Sequence, residues 1–104
     1  MITLIIDSTS NEQIKVGLKK DGKVIWVYSK IKVKSSQAVL PLVDKLLKKH
    51  KISVQDLDSI EVNAGPGSFT GVRVGVSIAN ALSFALKIPV NNKKPGVFEK
   101  PIYE

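Results

Sequence analysis

Residues 61–86, EVNAGPGSFTGVRVGVSIANALSFAL, decide how this chain folds. They open as a short apolar strand and pass through the loop Gly65-Pro66-Gly67-Ser68-Phe69-Thr70-Gly71. A long apolar helix over residues 70–86 follows. At about 100° per residue, half of its circumference holds Val72, Val74, Gly75, Ile78, Ala79, Ala81, Leu82, Ala85 and Leu86. The other half holds Arg73, Ser77, Asn80 and Ser83, but also Val76 and Phe84. One face must pack on a sheet, and the opposite face is too apolar and small-sided for a simple water face. Gly71, Gly75 and Ala79 recur every fourth residue, which permits close backbone approach. Glycine inside a helix costs about 1 kcal/mol against alanine, so a packing reason is expected. Two readings stay open: close helix-on-sheet packing within the domain, and a helix-on-helix interface with another protein. The loop is neither G-x-G-x-x-G nor a P-loop, since no Lys-Ser/Thr follows Gly71. It reads as the turn that aims the helix rather than as an anion site.

Working outward, residues 2–7 are β-branched or apolar and end on Asp7, the pattern of a central strand buried on both faces. Asp7-Ser8-Thr9-Ser10-Asn11 is a polar turn. Residues 13–20 alternate, with Ile14, Val16 and Leu18 on one side. Asp21-Gly22 is a strong hairpin signal, because a type I′ turn needs positive φ. Residues 23–33 form the return strand, its alternation extended by Ile31 and Val33. The period then changes. Ser35 or Ser36 suits a helix cap, and Val39, Leu42, Val43, Leu46 and Leu47 recur at helical spacing through Lys49. Pro41 is tolerated only if this helix begins late; otherwise it kinks the helix. Lys45, Lys48 and Lys49 suit the helix dipole. Ser53-Val54-Gln55-Asp56 starts a short helical turn. Residues 59–64 form a strand with Ile60 and Val62 on one side, Ile88-Pro89-Val90 is a brief strand, and residues 91–104 are loop or tail.

The order β-β-β-α-β-α-β predicts a mixed α/β sheet with helices packed on it. It resembles the RNase H-like unit, the repeated half of the ATPase superfamily of actin, sugar kinases and Hsp70. At 104 residues the chain makes one domain, expected over residues 1–90. It has no cysteine, which removes disulfides and thiolate metal sites. No apolar run approaches the ~20 residues that span a bilayer. Met1 leads straight into ITLIID, so no signal peptide and a cytoplasmic location are expected. The net charge of +7 is carried almost entirely by lysine. These lysines are scattered and not interleaved with aromatics as in a stacking platform for single strands. A solvated surface is the plainer reading, with a supporting contact to RNA as the other.

GPGSFTGVRVGVSIANALSFALKIPV resembles the signature of the TsaB (YeaZ) family, whose usual form is close to GPGSFTG-[LV]-R-[VI]-G. ITLIIDSTS is similar to that family's opening segment, and SQAVLPLVDKLLKKHKIS to its first long helix and the link after it. The resemblance covers residues 1–90. It implies a non-catalytic subunit of tRNA threonylcarbamoyladenosine biosynthesis. In that system TsaD, with TsaB and TsaE, transfers a threonylcarbamoyl group from threonylcarbamoyl-AMP to N6 of an adenosine beside the anticodon. TsaB docks on TsaD through helices of its N-terminal domain, here residues 37–49 and 70–86. Leu42, Leu46, Gly71, Val72, Gly75, Val76 and Ala79 are the expected interface residues, with Arg73 bonding across it. Contact with tRNA is expected to be indirect, and for the chain alone homodimer and monomer both stay open. The family usually carries a second domain of the same fold, which these 104 residues are not expected to include, whether they are a natural minimal form or a fragment. A two-lobed nucleotide cleft is therefore expected to be incomplete, and Asp7, Ser8, Thr9 and Ser10 to be at most a vestigial nucleotide turn. The family's frequent His before its first helix is also replaced, by Ser35-Ser36-Gln37. No cofactor or metal is implied.

Two hydrolytic alternatives fare worse. A protease needs a nucleophile and base, or a metal, and His50 is the only histidine. An RNase H-type nuclease needs clustered carboxylates for two divalent ions. Asp7 and Asp44 suit such a site, but the fourth strand ends in Asn63-Ala64-Gly65 rather than an acid.

Overall fold

The computed structural model describes residues 1–10, 13–30, 36–67, 69–94 and 96–100. The strands are β1 (Ile2–Asp7), β2 (Gln13–Lys20), β3 (Lys23–Lys30) and β4 (Ser59–Val62). The helices are α1 (Ser36–Lys49) and α2 (Phe69–Leu86), and a 3₁₀ turn, Val54–Asp56, precedes β4. The sheet order is β3-β2-β1-β4. β1 is antiparallel to β2 and parallel to β4, and β2 is antiparallel to β3. This is the expected α/β architecture. The outer part of the predicted return strand, residues 31–33, lies outside the described residues, as does the proposed cap Ser35.

The register explains the core. Leu4 faces Leu18 and Ile60, and Ile6 faces Val16 and Val62, so their side chains share one side of the sheet. With Ile14 they are buried against Val39, Leu42, Val43, Leu46 and Leu47 of α1 and Val72, Val76 and Ala79 of α2. Both helices therefore cover the same face, and β1 is not equally buried on its two sides. On the open side Ile5 and Asp7 are only half-buried. There the Trp26 indole lies against Gly17, where a Cβ would come within 2.8 Å of the ring. Lys15 Nζ stands 4.9 Å from the ring centroid, a cation–π contact.

Three local features differ from the sequence expectation or sharpen it. First, α1 begins at Ser36 rather than late, and Pro41 lies inside it with its ring exposed. Second, the 3₁₀ turn is a full capping box. Ser53 Oγ accepts from Gln55 N at 3.3 Å, and Asp56 Oδ2 accepts from Ser53 N at 2.9 Å. Third, the last predicted strand is reduced to one residue, Val90, bridged in parallel to Ile60. Ile60 N donates to Pro89 O and Asn91 N to Ile60 O. Asn91 and Asn92 then take positive φ (50° and 62°) and turn the chain away. The Asn91 side chain continues the ladder in place of backbone: it accepts from Val62 N at 2.8 Å and donates to Val62 O at 3.0 Å.

Both helices end on a lysine in the left-handed region, Lys51 (φ 54°) and Lys87 (φ 57°). Ile52 N reaches back to Leu47 O and Ile88 N to Ser83 O, the bond of a Schellman ending, where glycine is the usual residue.

Candidate functional site

The surface that α2 offers is not the one expected from the glycine stripe. Val72, Val76 and Ala79 are fully or almost fully buried, as are Leu42 and Leu46 of α1. Gly75 is buried too, and a Cβ there would collide with Ser8 Oγ at the end of β1. These six residues face the sheet of their own chain, so the close approach that Gly75 permits is helix against sheet. Gly71 lies in the first turn of α2. Of the expected interface residues on α2, Arg73 points outward.

The outward face of α2 runs through Arg73, Ser77, Ala81, Phe84 and Ala85. Small side chains at Ser77, Ala81 and Ala85 again recur every fourth residue, two positions out of phase with Gly75 and Ala79. Phe84 is 72% exposed, a large apolar side chain left in water. On α1, Leu40, Pro41 and Asp44 are exposed. Asp44 pairs with Lys48 one turn on, at 2.9 Å, and both are well exposed. Periodicity alone placed Val76 outward and Ala81 and Ala85 inward; the sheet contact reverses these assignments.

The segment after Val90 borders this face, which the sequence did not reveal. Asn80 Nδ2 donates to Glu99 O and Asn80 Oδ1 accepts from Glu99 N, both at 2.9 Å. Glu99 Oε2 accepts from Asn91 Nδ2 at 2.8 Å. Phe98 meets Phe84 edge-on, with ring centroids 6.3 Å apart. The bond from Asn91, then those from the Lys100 backbone and the charge of Lys93, hold the Glu99 carboxyl below its usual range against the opposing effect of burial. The cue was available only in part, as an asparagine on the polar side of α2 with no stated partner.

The Asp7 turn is internally satisfied. Asp7 Oδ1 accepts from Thr9 N at 3.1 Å and Thr9 Oγ1 at 2.7 Å, and Oδ2 accepts from Asn63 Nδ2 at 3.3 Å. Burial raises the Asp7 pKa, but these bonds and the nearby Lys15 charge outweigh it, and the net shift is downward. Ser8 is fully buried. Gly67 approaches Thr9 so closely that a Cβ would lie 2.8 Å from Thr9 Cβ, so the glycine loop packs on this turn. Among the described residues no group of three or more His, Asp or Glu side chains is placed to hold a metal ion. No helix among them is long and apolar enough to cross a membrane.

The family model described as TsaD, tRNA N6-adenosine threonylcarbamoyltransferase, matches residues 27–92. The chain belongs to that family. Proteins named TsaB are among its relatives. The tRNA threonylcarbamoyladenosine biosynthesis protein TsaB of Bacillus subtilis is 37% identical over 91 residues, covering 86% of this chain and 40% of the relative. A solved structure, YeaZ from Pseudomonas aeruginosa, superposes with a TM-score of 0.80 at 32% identity, over 89% of this chain and 43% of that one. A tRNA N6-adenosine threonylcarbamoyltransferase from Nitrosospira multiformis is 44% identical over 52 residues, half of this chain and 15% of the relative. The chain thus spans about two fifths of the length of the TsaB protein it matches. The TsaB (YeaZ) resemblance and the RNase H-like α/β fold both hold.

Proposed function

We propose that this chain is a non-catalytic docking subunit in tRNA threonylcarbamoyladenosine biosynthesis. It corresponds to the N-terminal domain of TsaB over residues 1–90, followed by a tail. It binds a TsaD partner through the outer faces of α1 and α2, and TsaE joins the same assembly. The observation that carries this reading is the outer face of α2, where Ser77, Ala81 and Ala85 let a second helix approach and Phe84 stands 72% exposed beside them. Burying a phenylalanine that water now covers is worth about 1.5–3 kcal/mol, enough to anchor an interface. Leu40 on α1 is a further exposed apolar side chain. The internally bonded Asp7 carboxylate supports a docking role over hydrolysis, since its oxygens are already engaged by Thr9 and Asn63.

The test is co-purification with the TsaD of the same cell. Ala81→Arg changes an exposed side chain and Phe84→Ala an exposed ring that meets Phe98 edge-on, so melting should move little while TsaD no longer co-elutes. Unchanged co-elution of both variants would remove this face from consideration. A variant that stays bound to TsaD yet loses a concentration-dependent homodimer would assign the face to self-association instead.

A further inference from the structure

The tip of the β2–β3 hairpin and the C-terminal end of α1 enclose a cavity of about 330 Å³, away from the outer helix faces. Leu18, Ile25 and Ile52 give it apolar walls, and Lys20, Lys23 and His50 also line it. Lys49 and Lys51, both exposed, flank His50 in the chain. The ion pairs seen elsewhere engage Lys19, Lys48 and Lys93. Among the described residues Lys20, Lys23, Lys49 and Lys51 make none, and Asp21 is the one acid lining the cavity. His50 Nε2 is buried and has no hydrogen-bond partner among the described residues. Buried polar atoms are nearly always partnered, so an exception calls for a reason.

We infer that this cavity and its lysine rim bind single-stranded RNA, taking a base against the apolar walls and phosphates on Lys20 and Lys23. The excess of unpaired positive charge calls for a polyanion, and apolar walls inside a cationic rim match a nucleotide, which carries both a flat base and a phosphate. The choice of RNA among polyanions rests on the proposed role in tRNA modification. The lysines are not interleaved with aromatics along the chain; folding instead sets Lys20 and Lys23 of the hairpin opposite His50 and Ile52 around one hollow.

The chain contains one histidine, so its ring resonances report on the cavity alone. The full chain is titrated with a labelled single-stranded RNA of about a dozen nucleotides, within the usual site sizes, following anisotropy and the His50 ring signals. Saturable binding that shifts the His50 signals is expected. Lys20→Ala with Lys23→Ala should weaken binding on the order of ten-fold at 0.1 M salt and lower the salt slope by about 1.4, two single-strand phosphate contacts at about 0.7 each. The control pair Lys45→Ala with Lys94→Ala, exposed elsewhere, should do much less. RNA binding that leaves the His50 signals unmoved, or an equal effect of the control pair, would overturn the assignment. Equal shifts with inorganic phosphate would make it a small-anion site, and equal shifts with polyglutamate a site for acidic polypeptide; either result refutes RNA. Lys20→Ala with Lys23→Ala should still co-purify with TsaD, so failure here leaves the docking role standing.

Discussion

The sharpest consequence of the helix phase concerns Gly75, because its effect should change sign with one neighbour. A Cβ at Gly75 collides with Ser8 Oγ, but its next contacts, Ile6 Cγ2 and Ser8 Cβ, are at an ordinary 3.6 Å. Two effects oppose each other in Gly75→Ala. The helix gains about 1 kcal/mol in propensity. Forcing a methyl into a closed contact costs typically 1–3 kcal/mol. The clash should win in the native background, for a net loss of about 1 kcal/mol. That corresponds to a fall of about 4–8 °C in Tm for a domain of this size. In a Ser8→Ala background the colliding oxygen is gone, and the same Gly75→Ala change should stabilise by about 1 kcal/mol. Ser8→Ala carries its own cost, since Ser8 has interactions of its own, but the double-mutant cycle cancels it and leaves a coupling of about 2 kcal/mol. Urea denaturation of the four proteins, followed by circular dichroism, measures this if the slopes agree. Equal effects of Gly75→Ala in both backgrounds would show that the glycine is not needed for helix-on-sheet approach. The double variant should also keep any binding to the proposed TsaD partner, because Gly75 faces inward.

Three further outcomes follow from the same structure. Lys51→Gly and Lys87→Gly relieve left-handed backbone at the two helix ends, φ 54° and 57°, and each should raise stability by about 1 kcal/mol in the same urea assay. Asn80→Ala removes two bonds to the Glu99 backbone; the Glu99 amide should lose hydrogen-exchange protection by about 1–2 kcal/mol while the β1 and β2 amides keep theirs. Glu99 and Asp7 both have lowered pKa values in the fold. They stabilise above the unfolded carboxylate range of about 4 and lose that contribution as pH falls through the lower folded values. Melting of Asp7→Asn and Glu99→Gln across the acid range should therefore show a shallower acid limb than the parent, with the curves converging at the lowest pH.

Patterns closed within one element were legible in the sequence. The β2 and β4 faces, the Asp21-Gly22 hairpin, the apolar stripe of α1 and the Ser53 capping box all follow from neighbours a few residues apart, whereas the open side of β1 does not. The phase of α2 did not. Its circumference is apolar or small nearly all round, so periodicity gave two almost equal faces, and what separates them is a contact across the fold: Ser8 beneath Gly75. The same limit hid the Asn80–Glu99 clamp, which joins residues 19 apart in the chain, and the Trp26–Gly17 contact, which depends on strand register. The cavity at the hairpin tip needed both kinds of information, since Lys20 and Lys23 belong to the hairpin while His50 and Ile52 follow α1.

The corrected phase bears on how the proposed docking and the proposed RNA binding would fit on one small domain. Had the Gly71–Gly75–Ala79 stripe been the docking surface, α2 would need a different seat on the sheet, and binding a partner would compete with the chain's own core. With Ser77, Ala81, Phe84 and Ala85 outward, docking costs the fold no internal packing, because the inner stripe stays on β1 and β4. The proposed RNA cavity opens where α1 ends, between Lys20 and Lys23 of the hairpin and His50. Leu40 and Asp44, exposed on α1, precede that end by more than one helical turn. A partner helix lying along the outer faces would thus leave the lysine rim uncovered, and both ligands could be held together. Their linkage should then be weak: saturating RNA should change the affinity for TsaD by no more than a few-fold, and TsaD should change the affinity for RNA by the same factor. Strong mutual exclusion in a competition titration would place the two surfaces on the same ground and refute this division of the domain.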